Sequence, residues 1–225
     1  MRVKGSQLLV QETFCYLQLE WIHRPDRFAF TTGQFATLRF SDQEKGAYYA
    51  FASAPEENDT VDFLIKKGTA AGDRLRQLRP GDRVLVEGPL GKGFPIDEHK
   101  GRHLLLIGVG TGIAPLRSVY RSIIRRRSDF RYVHLYYGAL TPAYLCYRDE
   151  LRELRKSDIQ VFLTVTTPDE TWAGRTGFVQ SHFADAIPDP NRCTALLVGM
   201  KEMIDECRAE LIRIGLSPDA VLLNY

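Results

Sequence analysis

The segment from Leu104 to Leu116, LLLIGVGTGIAPL, constrains this chain more than any other. A run of large aliphatic residues passes directly into Gly108, Gly110 and Gly112, and a helical pattern opens at Ala114-Pro115. The apolar run suits a buried strand, and glycines let a backbone turn tightly and approach a ligand. Proline is tolerated in the first helical turn, where its missing N–H costs nothing. Strand, glycine turn and helix N-terminus in that order form a cradle for a phosphate anion, because exposed N–H groups donate and the helix end adds partial positive charge. The spacing is G-x-G-x-G rather than the G-x-G-x-x-G of the dinucleotide fingerprint, but the strand before it and the helix after it are the context that fingerprint requires. The segment predicts nicotinamide-nucleotide binding through Gly108, Gly110, Thr111, Gly112 and Pro115.

The two sides of this turn have different rhythms. Up to Glu98, short apolar runs such as Phe35–Phe40, Val61–Ile65 and Val84–Val86 alternate with turn residues at Thr32-Gly33, Glu57-Asn58-Asp59 and Pro80-Gly81-Asp82. With one helical candidate at Asp73–Leu78, this predicts an antiparallel barrel or sandwich over residues 1–98. From His99 the order becomes buried strand, helix, buried strand. The strands are expected at Leu104–Ile107, Tyr132–Tyr137, Val161–Thr166 and Ala195–Val198. The helices are expected at Ala114–Arg125, Leu145–Lys156, Phe178–Ala186 and Glu202–Ile214, the last closed by Gly215. Such alternation specifies a doubly wound parallel α/β domain over residues 99–225, with the boundary in Pro95–Gly101.

Bulk composition narrows the function classes. Hydrophobic residues at 44% and charged residues at 26% are those of a folded globular protein. No apolar run reaches the ~18 residues of a membrane span, and the N-terminus lacks the order of a signal peptide, so a cytoplasmic protein without a membrane span is expected. Cys15, Cys146, Cys193 and Cys207 form no C-x-x-C pair, which argues against a metal or iron-sulfur centre and for reduced packing residues. A net charge of +2 gives no reason to expect nucleic-acid binding, and Arg125-Arg126-Arg127 reads as a solvated helix end. The tyrosines at 132, 136, 137, 144 and 147 read as packing residues, Asp73, Asp149 and Glu150 as helix-surface charges, and none of the histidines as catalytic.

A barrel followed by Gly108–Pro115 resembles the ferredoxin-NADP reductase superfamily of flavin-dependent oxidoreductases, and the similarity covers nearly the whole chain. Matching pieces are Gly33-Gln34-Phe35, Ala52-Ser53 before Pro55, Leu78–Asp82, Gly88–Gly91, Tyr137-Gly138-Ala139 and Val198–Met203. Gly88–Phe94 also resembles the barrel exit of dihydroorotate dehydrogenase electron-transfer subunits, whose cysteine cluster this chain lacks. The Ala-rich Ala47–Ala52 segment and Trp172-x-Gly174-x-x-Gly177 are similar to a little-characterised plant and cyanobacterial branch.

The resemblance implies FAD on the barrel and NAD(P)H on the second domain, hydride passing from nicotinamide C4 to flavin N5 and electrons onward to a separate acceptor. Ferredoxin, flavodoxin and other redox proteins are the candidate acceptors. It assigns flavin contacts to Tyr49, Ala50, Phe51, Ala52 and Ser53, with Lys66, Lys67 and the backbone of Gly68–Gly72 toward the phosphates. It assigns nucleotide contacts to the glycine turn, Gly138, Thr166, Gly199, Met200 and Lys201, and makes Tyr225 the aromatic cap where the nicotinamide enters.

Several positions depart from the family pattern. Ala47 and Ala50 replace the arginine and serine of Arg-x-Tyr-Ser, Gly72 replaces a hydroxyl residue, Val198 replaces a cysteine and Leu223 a glutamate. Coenzyme choice leans to NADH, since Thr166, Thr167, Thr176 and Phe178 stand where NADP enzymes carry phosphate ligands and Leu140 replaces an arginine. Arg175 is the residue that could still reach a 2′-phosphate. The losses leave a second reading open, a catalytically reduced nucleotide- and flavin-binding regulatory or electron-transfer subunit of a larger complex.

Overall fold

The computed structural model describes residues 1–9, 13–23, 28–57, 59–184, 187 and 189–225. In the first half, side chains that alternate between apolar and polar give strands with one inward face. These are β1 (Arg2–Leu9), β2 (Phe14–Glu20), β3 (Phe35–Arg39), β4 (Ala47–Ala50) and β5 (Thr60–Lys66), then helix α1 (Ala70–Leu75) and β6 (Leu85–Leu90). They form two antiparallel sheets, β1-β2-β5 and β4-β3-β6. Bridges between Arg2 and Arg83 and between Phe51 and Phe63 join the sheet edges, which closes the expected barrel. Its core holds Leu17, Leu19, Leu38, Phe51, Phe63 and Ile65.

The second half contributes β7 (His103–Val109), α2 (Ile113–Ile124), β8 (Val133–Ala139), α3 (Arg148–Glu153), β9 (Gln160–Val165), β10 (Arg175–Thr176), β11 (Cys193–Val198), α4 (Lys201–Arg213) and β12 (Val221–Leu223). All pairings in this six-stranded sheet are parallel, in the order β10-β9-β8-β7-β11-β12. The apolar runs are buried because α2 covers one face of the sheet and α4 the other. Gly215, at φ 110°, ends α4 as expected.

Some elements differ from their sequence signals. The helix predicted over Phe178–Ala186 is a 3-10 turn at Val179–His182, because Val179 and Phe183 anchor to the sheet and the Phe, Val, Ser and His of the segment are weak helix formers. Its end at Asp185 and Ala186, and Asn58 in the turn predicted at Glu57-Asn58-Asp59, lie outside the described residues. The helix predicted at Leu145–Lys156 starts only at Arg148, after Tyr147 in the left-handed region, and passes into a 3-10 turn at Leu154–Ser157. The helix predicted from Asp73 starts earlier, at Ala70, because the Thr69 side chain caps it by accepting from the Gly72 N–H.

One other expectation is replaced by a specific role. Rather than a solvated end, Arg126 pairs with Asp97, and Arg127 donates to the carbonyls of Phe130, Arg131 and Asp158. The thiols of Cys146, Cys193 and Cys207 are buried, which pushes each up to about 12. They are packing groups. His134 is held among Tyr136 and Phe162, and burial pushes it down to about 4, so it packs as a neutral ring.

β5 joins the two halves. Val61, Phe63 and Ile65 face the barrel core, whereas Leu64 belongs to the core of the sheet layer and Asp62 faces Arg117 of α2. Arg117 is 5% exposed, and its Nη1 donates to the Ala52 carbonyl at 2.8 Å and lies 3.2 Å from Asp62 Oδ2. Its Nε reaches Glu150 at 2.9 Å, and the Tyr147 ring lies 4.8 Å from the guanidinium carbon. Beside it, Arg121 binds Glu57 and Ser122 donates to Glu56. Glu150 is thus part of a fixed ionic junction rather than a helix-surface charge. Removing the cation from such a junction leaves a buried carboxylate unpaired. Arg117→Met is expected to lower stability by about 3 kcal/mol or more in urea unfolding. Adding Asp62→Asn, which keeps the acceptor for Gln18, should recover part of that loss.

Candidate functional site

In an open parallel sheet, ligands bind where the strand order reverses. Here that point lies between β7 and β11, at Val109–Gly112 and Val198–Gly199. The three glycines of the turn have separate reasons to be there. A Cβ on Gly112 would sit 2.6 Å from the Val198 carbonyl, and one on Gly108 would sit 2.8 Å from Leu116, so these two allow helix and strand to close up. Gly110 has φ 54° and open space where its Cβ would be, so it leaves backbone bare toward the crevice. No side chain caps α2, and its first turn carries no acidic residue. Its N–H groups and positive end are therefore available to an anion. The Tyr137 hydroxyl donates to the Gly110 carbonyl at 3.1 Å and accepts from the Cys146 N–H, fixing the turn from below.

The crevice opens into a cleft of about 970 Å³ shared by both halves, at the upper end of ligand-pocket volumes. From the sheet side, Gly110, Thr111, Gly112, Pro115, Gly138, Thr166, Gly199 and Met200 line it. Gly138 and Gly199 are small for a reason: a Cβ would meet Val179 at 2.8 Å in the first case and the Met203 sulfur at 2.7 Å in the second. From the barrel side, Tyr49 and Ala50 on β4 and Lys66 on β5 line it. Ala47 lines it as well, so the missing arginine leaves that stretch of wall uncharged. Burial raises the Tyr49 hydroxyl above its ordinary range, which keeps it neutral.

Other expected contacts stand away from the cleft. Phe51 and Ala52 are fully buried, and the Ser53 hydroxyl accepts from the Asp62 N–H, because the chain dives into the barrel core directly after β4. The Gly68 N–H is taken by Asp73 and the Gly72 N–H by Thr69, while Lys67 lies outside the lining. Gly108 is enclosed by strand and helix, and Lys201 pairs with Asp205. Tyr225 is 64% exposed and adjoins the cleft through Asn224, which does line it.

Sequence reading missed Thr69, Asn224, Gln180 and Glu206 of the lining. Thr69 carries a local signal, an N-cap threonine three residues before Gly72. Asn224 carries none, since its partner Gly33 is 191 residues away. Among the described residues, Lys66, Glu202 and Glu206 are the charged groups on the wall, and no set of metal-ligating side chains is present. The arrangement can hold and orient ligands but offers no acid-base pair.

The profile of an oxidoreductase FAD-binding domain matches residues 5–94, and that of an oxidoreductase NAD-binding domain matches residues 106–209. The sulfhydrogenase 1 gamma subunit of Pyrococcus furiosus is 28% identical over 202 residues, covering 88% of this chain and 69% of its own length. Ferredoxin-NADP reductase B of Sorangium cellulosum is 33% identical over 161 residues, covering 69% of this chain and 65% of its own length. The chain spans about half of several other curated relatives. Among solved structures, an Amycolatopsis cytochrome P450 reductase superposes with a TM-score of 0.87 at 25% identity, over 99% of this chain and 68% of that one. With both profiles on the halves that the barrel and the parallel sheet occupy, the chain belongs to the ferredoxin-NADP reductase superfamily of FAD- and NAD(P)-binding oxidoreductases.

Proposed function

We propose that this protein is an NAD(P)H-dependent flavin reductase that delivers electrons to a separate acceptor. The observation that carries the reading is the cleft itself, in which a bare glycine turn at an uncapped helix N-terminus faces a barrel wall of Tyr49, Ala50 and Ala47. The residues present fit both groups. Gly110 and the first turn of α2 would hold a diphosphate, while Tyr49 offers a neutral ring to a flat flavin. FAD supplies the capacity to take a hydride from the nicotinamide and release electrons singly or in pairs. The protein's part is to hold the two rings together and exclude water, with residues 1–98 as the flavin unit and 99–225 as the nucleotide unit. Lys66 is the cation left for the flavin phosphates on this wall. Tyr225, next in the chain to the lining residue Asn224, is the group assigned to cover the flavin face until nicotinamide displaces it.

A role as a subunit of a larger assembly is favoured by relatives that are themselves parts, such as the sulfhydrogenase gamma subunit and an anthranilate dioxygenase electron-transfer component. The acceptor is then a partner protein, with ferredoxin and flavodoxin as candidates.

Purified protein is expected to show flavin absorbance that anaerobic NADH bleaches, with turnover above a free-flavin control. Colourless protein that FAD does not reconstitute would sink the reading. Gly110→Val should weaken nucleotide binding by about 100-fold or more with flavin content and fold retained, since the added side chain enters the crevice and strains a positive φ. Deleting Tyr225 should tighten NAD(P)H binding and shift the flavin spectrum, both measured by titration.

A further inference from the structure

On its sheet side the cleft is lined by Leu140, Thr166, Phe178, Gln180 and Glu206. Phe178 and Leu140 are 62% and 59% exposed, and the Phe178 ring is flat apolar surface of the kind on which a purine rests. The carboxylate of Glu206, on α4, is not left to wander: the Gln180 side-chain amide donates to it at 2.5 Å. The 3-10 turn carrying Gln180 is itself anchored, with Val179 packed in the same core as Met203 and Cys207 of α4.

Among the described residues the cations of this region have contacts other than Glu206, though the Arg175 Nη1 is buried without a hydrogen-bond partner. Arg175 lies with its guanidinium carbon 4.4 Å from the centre of the Phe162 ring, and its backbone is set by the β10–β9 pairing and by the Trp172 indole donating to its carbonyl. Along α4, Lys201 pairs with Asp205, Arg208 points to the Pro218 carbonyl and Arg213 pairs with Glu210. Among the described residues the one cation lining the cleft, Lys66, belongs to the barrel side.

We propose that Glu206, aimed by Gln180, accepts the 2′-hydroxyl of the adenosine ribose and repels a 2′-phosphate, making the protein selective for NADH. A carboxylate accepts well from a free hydroxyl, whereas a phosphate beside it sets like charges together. The inference rests on the dinucleotide reading of the cleft.

The test is calorimetric titration of the purified protein with ADP-ribose and with 2′-phospho-ADP-ribose, probes that need no flavin chemistry. The native protein should bind ADP-ribose more tightly by about tenfold or more, and Glu206→Gln should erase about tenfold of that preference. Glu206→Lys should reverse the preference, and Arg175→Leu should leave it unchanged. Circular dichroism checks that each variant is folded. If both probes bind and neither Glu206 variant changes their ratio, the ribose assignment is overturned while the dinucleotide reading stands. If Arg175→Leu selectively weakens the phosphorylated probe, Arg175 is the reader and the assignment is again overturned. If neither probe binds, the dinucleotide reading fails and takes this inference with it.

Discussion

The cleft exists in its present width because Arg117 ties α2 to the barrel. One guanidinium satisfies the Ala52 carbonyl and Asp62 on the barrel side and Glu150 on the sheet side, all within 3.2 Å. Burying that charge is costly, and its partners offset the cost only while both halves keep their relative placement. The same helix that carries Arg117 begins at the glycine turn, one helical turn away. Any tilt of α2 that opened the junction would also move the phosphate cradle against β4. Stability and reaction geometry therefore depend on the same contacts, and the apolar seam of Phe14, Ala52 and Leu64 against the sheet-layer core reinforces them.

The two walls use different physics. On the sheet side the floor of the cleft is backbone bared at Gly110, while neighbouring atoms leave no room for a side chain at Gly112, Gly138 and Gly199. A diphosphate can be held there by dipoles and shape, which need no side-chain cations. On the barrel side the surface is made of side chains, and it has been pared to alanines at positions 47 and 50. Holding a flavin against such a wall depends on contact area and on Tyr49, with Lys66 as the remaining charge. The nucleotide cradle is thus fixed by constraints that tolerate little change, whereas the flavin wall can shed polar groups without loss of fold.

Sequence alone reveals features that are local. The G-x-G-x-G turn, the parallel strands, the paired glycines at 138 and 199 and the Gly215 stop were each legible, because a strand's burial and a turn's φ leave marks within a few residues. Glu150 and Asn224 were not. Their partners lie 33 and 191 residues away, and nothing near either one distinguishes it from a surface polar residue. Ser53 shows the converse error: it sits in a motif that marks the flavin wall, yet its hydroxyl points inward to the Asp62 N–H. A motif fixes where the backbone goes, while the pleat of the strand decides which side chains reach the ligand.

The helix expected at Phe178–Ala186 fails for a reason that also shapes the site. Had that segment formed a full helix, its axis would set Gln180 by helical periodicity alone. Instead Gly177, at φ 93°, turns the chain at the end of β10, and the 3-10 turn leaves Phe178 standing in the cleft with Gln180 turned to α4. Weak local propensity lets tertiary anchoring by Val179 and Phe183 choose the conformation. This segment, whose sequence leaves its structure open, also lines the cleft. That is where a scaffold can change the coenzyme it reads while the glycine turn, held by Tyr137, stays as it is.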